Sequence, residues 1–331
     1  MNSRELVTRA IHFHDPERVP LWMAGETYDL TNDLYPTASR TFSPLPEAEL
    51  RRLAPDFPGM LSQGEWGNIL GKLPTDLSTT ETVRSGFEEW EEFAAYQFPD
   101  IDALYRYEQA RAHISGRAGD VYELAWFGSG YFGTLYNLRK MEDLLIDLAM
   151  YQEELQGYCA RLEPIFHRCL EQWSRAGAHG ILFGEDLGVQ DRLLMKPATW
   201  REIFKPYYAR LIAHAHELGL DVLMHSCGYI RDIIPDLVEI GLDVLQFDQI
   251  DIYDLDDLAS NFGGKIAFFC PVDIQSVMPT GDEARIRAAA RRMVETLGAF
   301  HGGFLAKDYP SWHEIGVPDA WAAWMREAFL A

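Results

Sequence analysis

The sequence predicts an α/β protein built on a single (β/α)8 barrel, and three observations support this fold class. From about residue 179 onward, five apolar strand-like runs alternate with five helical patterns. Repeated βα units form parallel sheets. The preceding half of the chain has room for three more units, and no Gly-x-Gly-x-x-Gly turn follows a strand, which disfavours an open dinucleotide-binding sheet. We therefore expect one TIM-type barrel domain over residues 1–331.

The elements of this barrel can be assigned in chain order. Strands are predicted at 19–23, 121–127, 179–183, 220–224, 242–247, 265–269 and 303–306. Helical patterns follow near 197–218, 229–239, 253–261, 282–299 and 318–329. Pro197 lies where a helix tolerates proline, and Gly219 and Gly241 are typical of helix ends. Residues 26–118 are irregular and rich in proline, glycine and aromatic residues, so we expect long N-terminal insertions over the barrel mouth.

Composition excludes several classes of protein. The net charge of −22 argues against a nucleic-acid binder, because no cluster of lysine and arginine is dense enough to follow a phosphate backbone. No apolar run approaches the roughly 18 residues of a membrane helix, and the N-terminal residues form an amphipathic pattern, so we expect a cytoplasmic protein. Four cysteines are too few for a disulfide scaffold. Cys159 and Cys169 lie in a helical pattern and are expected to be buried packing residues.

Residues with reactive or ligating side chains follow five consecutive predicted strands. In a (β/α)8 barrel the working residues lie just after the carboxyl ends of the strands, so all five positions point at one volume. These residues are Glu185 and Asp186; His225 and Cys227; Gln246, Asp248 and Gln249; Cys270 and Asp273; and Lys307, Asp308 and Tyr309.

The segment His225-Ser226-Cys227-Gly228 carries the most specific signal. An imidazole and a thiolate two residues apart at a strand end are suited to zinc, and Cys270 at a neighbouring strand end is the predicted third ligand. Three protein ligands leave a fourth position open for substrate, as catalytic zinc sites require. Asp308 or His313 could replace Cys270, which could equally be an inert buried thiol.

Two acidic residues follow the preceding predicted strand, 179–183. Glu185 and Asp186 are the predicted catalytic residues, acting as general acid and base. They could instead hold the second nitrogen of the histidine, or accept hydrogen bonds from backbone amides. A further set of aromatic residues could line an apolar pocket near the mouth, although ordinary packing is expected for at least half of them: Trp22, Trp66, Trp126, Phe127, Tyr131 and Trp312.

These motifs resemble those of the uroporphyrinogen decarboxylase superfamily, in the branch that includes zinc-dependent corrinoid methyltransferases. The matching segments span nearly the full chain: Arg18-Val19-Pro20, Gly184-Glu185-Asp186-Leu187-Gly188, the helix with Pro197 and Pro206, His225-Ser226-Cys227-Gly228, Pro271-Val272-Asp273-Ile274-Gln275 and Gly302-Gly303-Phe304. The resemblance implies a TIM-type barrel. In the methyltransferase branch it implies a His-x-Cys pair that holds zinc together with a later cysteine, and His225 and Cys227 match that pair.

The chain departs from the family pattern in two places. The later cysteine of the thiol methyltransferases falls near the last strand, where this chain has Lys307-Asp308. The decarboxylases carry Met-Arg-Gln-Ala-Gly-Arg after the first strand, where this chain has Met23-Ala24-Gly25-Glu26-Thr27. Replacing cations with a carboxylate would repel a polyanionic porphyrinogen, so decarboxylation of that substrate is not expected.

Three functions are therefore compatible with the sequence. The leading hypothesis is a zinc-dependent methyltransferase that moves a methyl group between a small thiol or methoxylated compound and a corrinoid. No Asp-x-His-x-x-Gly cobalamin signature is present, so the corrinoid is expected on a partner protein. The alternatives are a lyase or decarboxylase of a small substrate, and a non-catalytic barrel with a structural zinc ion. Neither a nucleic acid nor a membrane is an expected partner.

Overall fold

A curved parallel sheet surrounded by helices forms the body of the protein. The computed structural model describes residues 1–31, 33–74, 80–117 and 119–331. In this part of the chain the strands are β1 (Leu21–Trp22), β2 (Met60–Gln63), β3 (Ile69–Lys72), β4 (Glu81–Arg84), β5 (Leu124–Ser129), β6 (Gly180–Gly184), β7 (Asp221–His225), β8 (Val244–Gln246), β9 (Ala267–Cys270) and β10 (Phe304–Lys307). Seven of them form the main sheet, in the order β1-β10-β9-β8-β7-β6-β5, with every neighbouring pair parallel. The α/β class and all seven predicted strands are confirmed.

Thirteen α-helices are present among the described residues. They are α1 (Ser3–Ile11), α2 (Glu47–Leu53), α3 (Trp90–Phe93), α4 (Glu108–Gly116), α5 (Tyr131–Leu138), α6 (Met141–Met150), α7 (Gln152–Ala176), α8 (Pro197–Ile203), α9 (Lys205–Glu217), α10 (Ile234–Glu239), α11 (Leu255–Phe262), α12 (Glu283–Leu297) and α13 (Asp319–Leu330). The single helix predicted over 197–218 is two helices, because Pro206 has no amide hydrogen to continue the backbone ladder past Phe204. Across the described residues no helix combines the length and apolarity needed to cross a membrane.

An eighth strand does not close the main sheet in the described part of the chain. Between β1 and β5 the chain makes isolated parallel bridges, Leu30 with Tyr122 and Leu34 with Ala125. In this segment, side-chain oxygens accept hydrogen bonds from backbone amides that would otherwise bond to a neighbouring strand. Asp29 Oδ2 accepts from the amide of Leu21 at 2.9 Å, and Thr31 Oγ1 accepts from the amide of Leu124 at 2.9 Å. Such side-chain bonds compete with a regular ladder. The prediction of eight regular strands is therefore corrected to seven strands and a bridging segment.

The N-terminal insertion is more regular than the sequence indicated. Strands β2, β3 and β4 form a separate antiparallel sheet within the region predicted to be irregular. Each strand has four residues, too few for a clear alternation of apolar and polar side chains. The hydroxyl of Thr82 donates to the carbonyl of Asn137 in α5 at 3.0 Å, which attaches this sheet beside the carboxyl end of β5. Residues 32, 75–79 and 118 of the insertion lie outside the described residues.

Apolar side chains alternate between the two faces of the main sheet. Leu223, Val244 and Leu305 lie in the cluster on the inner face. Val222, Met224, Leu245, Phe304 and Ala306, their chain neighbours, lie in the cluster between the sheet and the helices. This two-residue period means that inner-face side chains at the carboxyl ends of the strands converge on the barrel mouth.

Helix α1 covers the opposite end of the barrel. Val7, Ala10 and Ile11 pack into the inner cluster, and the carbonyl of Ala10 accepts a hydrogen bond from the amide of Gly303 at 2.7 Å. The amino ends of the strands are therefore closed by a helix, whereas the carboxyl ends face a cavity. On the outer side, Cys159 and Cys169 of α7 are buried as predicted.

Candidate functional site

His225, the last residue of β7, lies on the inner face at the barrel mouth. It follows the inward-facing Leu223 by two residues, so the strand period directs the imidazole toward the cavity. Nδ1 donates a hydrogen bond to Oε1 of Gln246, the last residue of β8. This bond orients the ring and turns Nε2 toward the side chains of Asp186 and Cys227.

Three potential metal ligands meet at this nitrogen. His225 Nε2 lies 3.2 Å from Asp186 Oδ1 and 3.4 Å from Cys227 Sγ. One ligand atom from each of Asp186, His225 and Cys227 lies within 4.8 Å of the others. Burial alone would lower the pKa of His225, but its hydrogen bonds to Asp186 and Cys227 outweigh burial and raise the pKa well above the usual value. Nitrogen, sulfur and oxygen donors of this kind suit zinc.

Asp186 reaches the group through an unusual backbone conformation. Its φ is +56°, in the left-handed region that aspartate tolerates better than most residues. Its Oδ1 accepts a hydrogen bond from the amide of Cys227 at 2.9 Å, which holds the loop after β6 against the loop after β7. Partial burial would raise the pKa of Asp186, but the hydrogen bond from His225 and the charge on that ring lower it to about 2. The carboxylate is therefore ionised at neutral pH.

Two glycines allow these loops to approach so closely. Gly228 has φ +76°, and a Cβ at this position would lie 2.2 Å from the carbonyl carbon and oxygen of Gly188. The amide of Gly188 donates to the carbonyl of Cys227 at 3.3 Å. A side chain at either glycine would separate the loops that carry Asp186 and Cys227.

Replacing Gly228 with alanine is expected to lower the free energy of unfolding by at least about 2 kcal/mol, because the left-handed backbone and the backbone overlap both oppose a Cβ. Urea unfolding measures this change. Gly157→Ala in α7 is the matched control, since a Cβ there meets no described atom within 4 Å. That variant should be unchanged or stabilised by up to about 1 kcal/mol. Equal stability of the two variants would contradict the close-approach argument.

Glu185 faces the opposite side of the sheet from Asp186. Its Oε1 accepts from the hydroxyl of Tyr208 in α9 at 2.5 Å, and its Oε2 accepts from the amide of Gly133 in α5 at 2.6 Å. The side chain is 2% exposed, and burial raises its pKa to about 8. The structure therefore places Glu185 between the sheet and the helices, where it joins β6 to the start of α5, and does not bring it to the group around His225.

Cys270 also lies outside that group. It is the last residue of β9, one position after the inward-facing Phe269, and it belongs to the cluster between sheet and helices. Burial raises the pKa of its thiol to about 12. The strand period thus turns Cys270 away from the cavity that His225 faces.

The two alternative third ligands, Asp308 and His313, are placed elsewhere as well. Asp308 is 1% exposed, and its oxygens accept hydrogen bonds from Trp312 Nε1 at 2.6 Å and from Arg326 at 2.8 Å. It thereby anchors the loop after β10. His313 lies in an exposed position of the 3-10 turn Trp312–Ile315.

A buried polar chain extends from His225 across the mouth to β10. Gln246 Nε2 donates to Asp248 Oδ1 at 2.8 Å, and Lys307 Nζ donates to the same oxygen at 2.5 Å. Asp248 and Lys307 are both largely buried. The sequence located these residues at strand ends but assigned them no role. The two-residue period from Val244 and Leu305 is the signal that predicts an inward direction for Gln246 and Lys307.

A cavity of about 360 Å³ lies directly above these side chains. Its polar floor is formed by His225, Gln246, Asp248 and Lys307, and its walls are mainly apolar. Trp22 and Trp126 line it, as the sequence suggested for some of the aromatic residues. Four others pack in the core or against it: Trp66, Phe127, Tyr131 and Trp312.

Comparisons with known proteins agree with this architecture. Residues 82–306 match the family model described as uroporphyrinogen decarboxylase (URO-D). No curated protein matches the sequence significantly. Among solved structures, the chain is similar to a methyltransferase from Methanosarcina mazei, with a TM-score of 0.68, 13% identity, and coverage of 99% of this chain and 98% of that chain.

Two further solved structures are less similar. One is a D-psicose 3-epimerase from Clostridium cellulolyticum H10, with a TM-score of 0.42, 10% identity, and coverage of 72% of this chain and 83% of that chain. The other is an endo-beta-1,4-xylanase from Gloeophyllum trabeum, with a TM-score of 0.41, 11% identity, and coverage of 71% and 81%. At 13% identity, the similarity to the methyltransferase establishes the fold alone. The family model covers more than half of the sequence, and the chain belongs to the uroporphyrinogen decarboxylase family.

Proposed function

We propose that this protein is a zinc-dependent methyltransferase that moves a methyl group between a small thiol or methoxylated compound and a corrinoid carried by a partner protein. The observation that carries the proposal is the group formed by Asp186, His225 and Cys227, whose histidine lines the floor of a mainly apolar cavity. The similarity of the fold to a methyltransferase from Methanosarcina mazei is further support.

The donor atoms fit a zinc ion. Nitrogen, sulfur and oxygen ligands within 4.8 Å of one another can surround one ion after small rotations of the side chains. The bond from His225 to Gln246 is the outer hydrogen bond that metal-binding imidazoles usually make. We therefore propose Asp186, His225 and Cys227 as the protein ligands. Cys270 is left out of the set because it lies on the other face of β9.

Three protein ligands favour a catalytic over a structural zinc ion, since a zinc ion held by them would keep a fourth position for substrate. A bound zinc ion would lower the pKa of a substrate thiol or polarise a methoxy oxygen. The protein's own side chains contribute in other ways. Gln246 orients His225, the amide of Cys227 holds Asp186, and Trp22 and Trp126 exclude water from the pocket wall.

The cavity suits a small and weakly charged substrate. Its volume of about 360 Å³ is near the low end for ligand pockets. Lys307, a cation in its lining, is neutralised by Asp248 at 2.5 Å. A porphyrinogen with many carboxylates would find neither the space nor the positive charge. A corrinoid is also too large for this volume and would have to be presented at the mouth.

The alternative lyase function has less support. In that hypothesis Glu185 or Asp186 handles protons. Glu185 faces the helices, and Asp186 is ionised and engaged with His225 and Cys227. A lyase mechanism would therefore need a proton donor in the pocket other than Glu185 or Asp186.

Methyl transfer can be tested with the zinc-loaded protein and free cobalamins. The protein is mixed with methylcob(III)alamin and simple thiols, or with cob(I)alamin and methoxylated compounds, and the corrinoid spectrum is followed. We expect the parent protein to convert the methylated corrinoid to the reduced form, or the reverse. His225→Ala should abolish this conversion, and Cys270→Ala should leave it intact. The absence of any spectral change with every donor and acceptor would contradict the proposal, and turnover without a corrinoid would favour the lyase.

A further inference from the structure

A second group of metal-ligating side chains lies at the opposite end of the barrel. His12 Nε2 is 3.0 Å from Asp221 Oδ1, and ligand atoms of His12, Asp221 and Asp243 all lie within 4.8 Å of one another. His216 Nε2 is 2.8 Å from Asp243 Oδ2. One imidazole and two carboxylates therefore face a common volume, on the side of the sheet remote from His225, and the imidazole of His216 adjoins it through its contact with Asp243.

Four separate elements bring these residues together. His12 follows the last residue of α1, the helix that covers the amino ends of the strands. Asp221 is the first residue of β7, Asp243 directly precedes β8, and His216 lies in the last turn of α9. The group thus joins the N-terminal helix to the central strands and to an outer helix, which is the position of a structural cross-link.

Neighbouring groups hold the two carboxylates in place. The hydroxyl of Tyr122 donates to Asp221 Oδ2 at 2.6 Å, and the amide of Val222 donates to Asp243 Oδ2 at 2.7 Å. Tyr122 is fully buried, so it fixes one oxygen of Asp221 and leaves the other directed at His12. Outer hydrogen bonds of this kind position ligating carboxylates at metal sites.

The local charge also favours a cation. Metal binding requires both imidazoles in their deprotonated form. With neutral imidazoles the two carboxylates carry two negative charges, which one divalent ion would neutralise. Two ordinary surface ion pairs would each join one histidine to one acid and would lie apart. Here the two pairs lie together, because Asp243 lies within reach of both His12 and His216. The side chains of His12 and His216 are 38% and 40% exposed, which leaves an entry path and freedom to rotate onto an ion.

We infer that His12, Asp221 and Asp243 form a second zinc site, which His216 completes by rotating from Asp243 onto the ion, so that the site fastens α1 and α9 to the amino ends of β7 and β8. Two nitrogen and two oxygen donors match the tetrahedral preference of zinc. Four protein ligands would close the coordination sphere, so this ion would stabilise the fold and take no part in chemistry at the mouth. The site does not depend on the proposed methyl transfer.

The test uses Zn²⁺ alone, with the mouth site removed by Cys227→Ala. In this background we expect about one zinc ion per chain after dialysis and a higher melting temperature with Zn²⁺ than with chelator. Adding His12→Ala or His216→Ala should weaken zinc binding at least about tenfold and remove most of the temperature shift. Mg²⁺ should produce no shift, because it prefers oxygen ligands.

His113→Ala is the matched control, since His113 is an exposed histidine that lies 3.9 Å from one acid, Asp33. Added to the Cys227→Ala background, His113→Ala should leave the zinc affinity of that background unchanged. Asp243→Asn adds a variant that keeps an oxygen for the amide of Val222 and removes the charge. Zinc affinity equal to that of the parent in both His12→Ala and Asp243→Asn would overturn the inference. So would a melting temperature that Zn²⁺ leaves unchanged in the Cys227→Ala background.

Discussion

Cys227→Ala is expected to remove the zinc ion from the barrel mouth and to abolish methyl transfer. The proposed site has three protein donors, and the thiolate of Cys227 is the soft one. Its loss leaves an imidazole and a half-exposed carboxylate, Asp186, which cannot retain zinc against dialysis. We expect zinc content to fall by about one ion per chain, and affinity in chelator competition to fall more than about 100-fold.

Two variants sharpen this experiment. Cys270→Ala removes a buried thiol on the outer face of β9 and should leave the zinc content unchanged. Asp186→Asn keeps an oxygen for the amide of Cys227 and suits the positive φ, so it tests the carboxylate charge with little change in the loop. Full retention of zinc in Cys227→Ala would refute the proposed site. Loss of zinc in Cys270→Ala would restore Cys270 as a ligand.

Lys307→Met is expected to destabilise the protein by about 3–5 kcal/mol. Lys307 and Asp248 form an ion pair at 2.5 Å, with side chains that are 8% and 10% exposed. Removing the cation leaves a buried carboxylate that still accepts a hydrogen bond from the side-chain amide of Gln246 but has lost its ion-pair partner. Since Gln246 also orients His225, the substitution should weaken zinc binding at the mouth as well. Urea unfolding and chelator competition measure the two effects.

The double variant Lys307→Met/Asp248→Asn distinguishes a lost charge pair from lost packing. It removes both charges, so it should recover most of the stability lost in the single variant. Arg175→Met is the surface control, because Arg175 and Glu171 are 62% and 35% exposed, and it should change stability by less than about 1 kcal/mol. A double variant no more stable than Lys307→Met would show that the charge pair is not the cause.

The same ion pair predicts how stability depends on pH. Burial alone would raise the pKa of Asp248, but the charges of Lys307 and His225 and the bond from Lys307 lower it. A carboxylate with a lowered folded-state pKa stabilises the fold above its unfolded value of about 3.9, and this contribution is lost as the pH falls through the folded value. Acid unfolding should therefore depend less steeply on pH in Lys307→Met/Asp248→Asn than in the parent. Identical acid-unfolding profiles would contradict this.

The sequence predicts where the strands lie but not always the residue at which each strand ends. An error of one residue in a strand end changes the face of the sheet on which a side chain is expected. Cys270 directly follows the strand predicted over 265–269 and was expected to be a ligand at the barrel mouth. The structure continues β9 through Cys270, so the two-residue period directs the thiol outward. The same extension of β7 through His225 directs that imidazole inward. The prediction of a cysteine ligand from β9 thus depended on a boundary that apolar patterning does not resolve.

The sequence alone determined the α/β class, the seven parallel strands and the pairing of His225 with Cys227, because these depend on local periodicity and on neighbours in the chain. The tertiary structure decided which other side chains meet them. Asp186 joins through a left-handed backbone turn, and Lys307 reaches Asp248 across 59 positions of the chain. His12 meets Asp221 across 209 positions. Contacts over such separations arise only when the sheet curves and brings distant strand ends together, which no local pattern encodes.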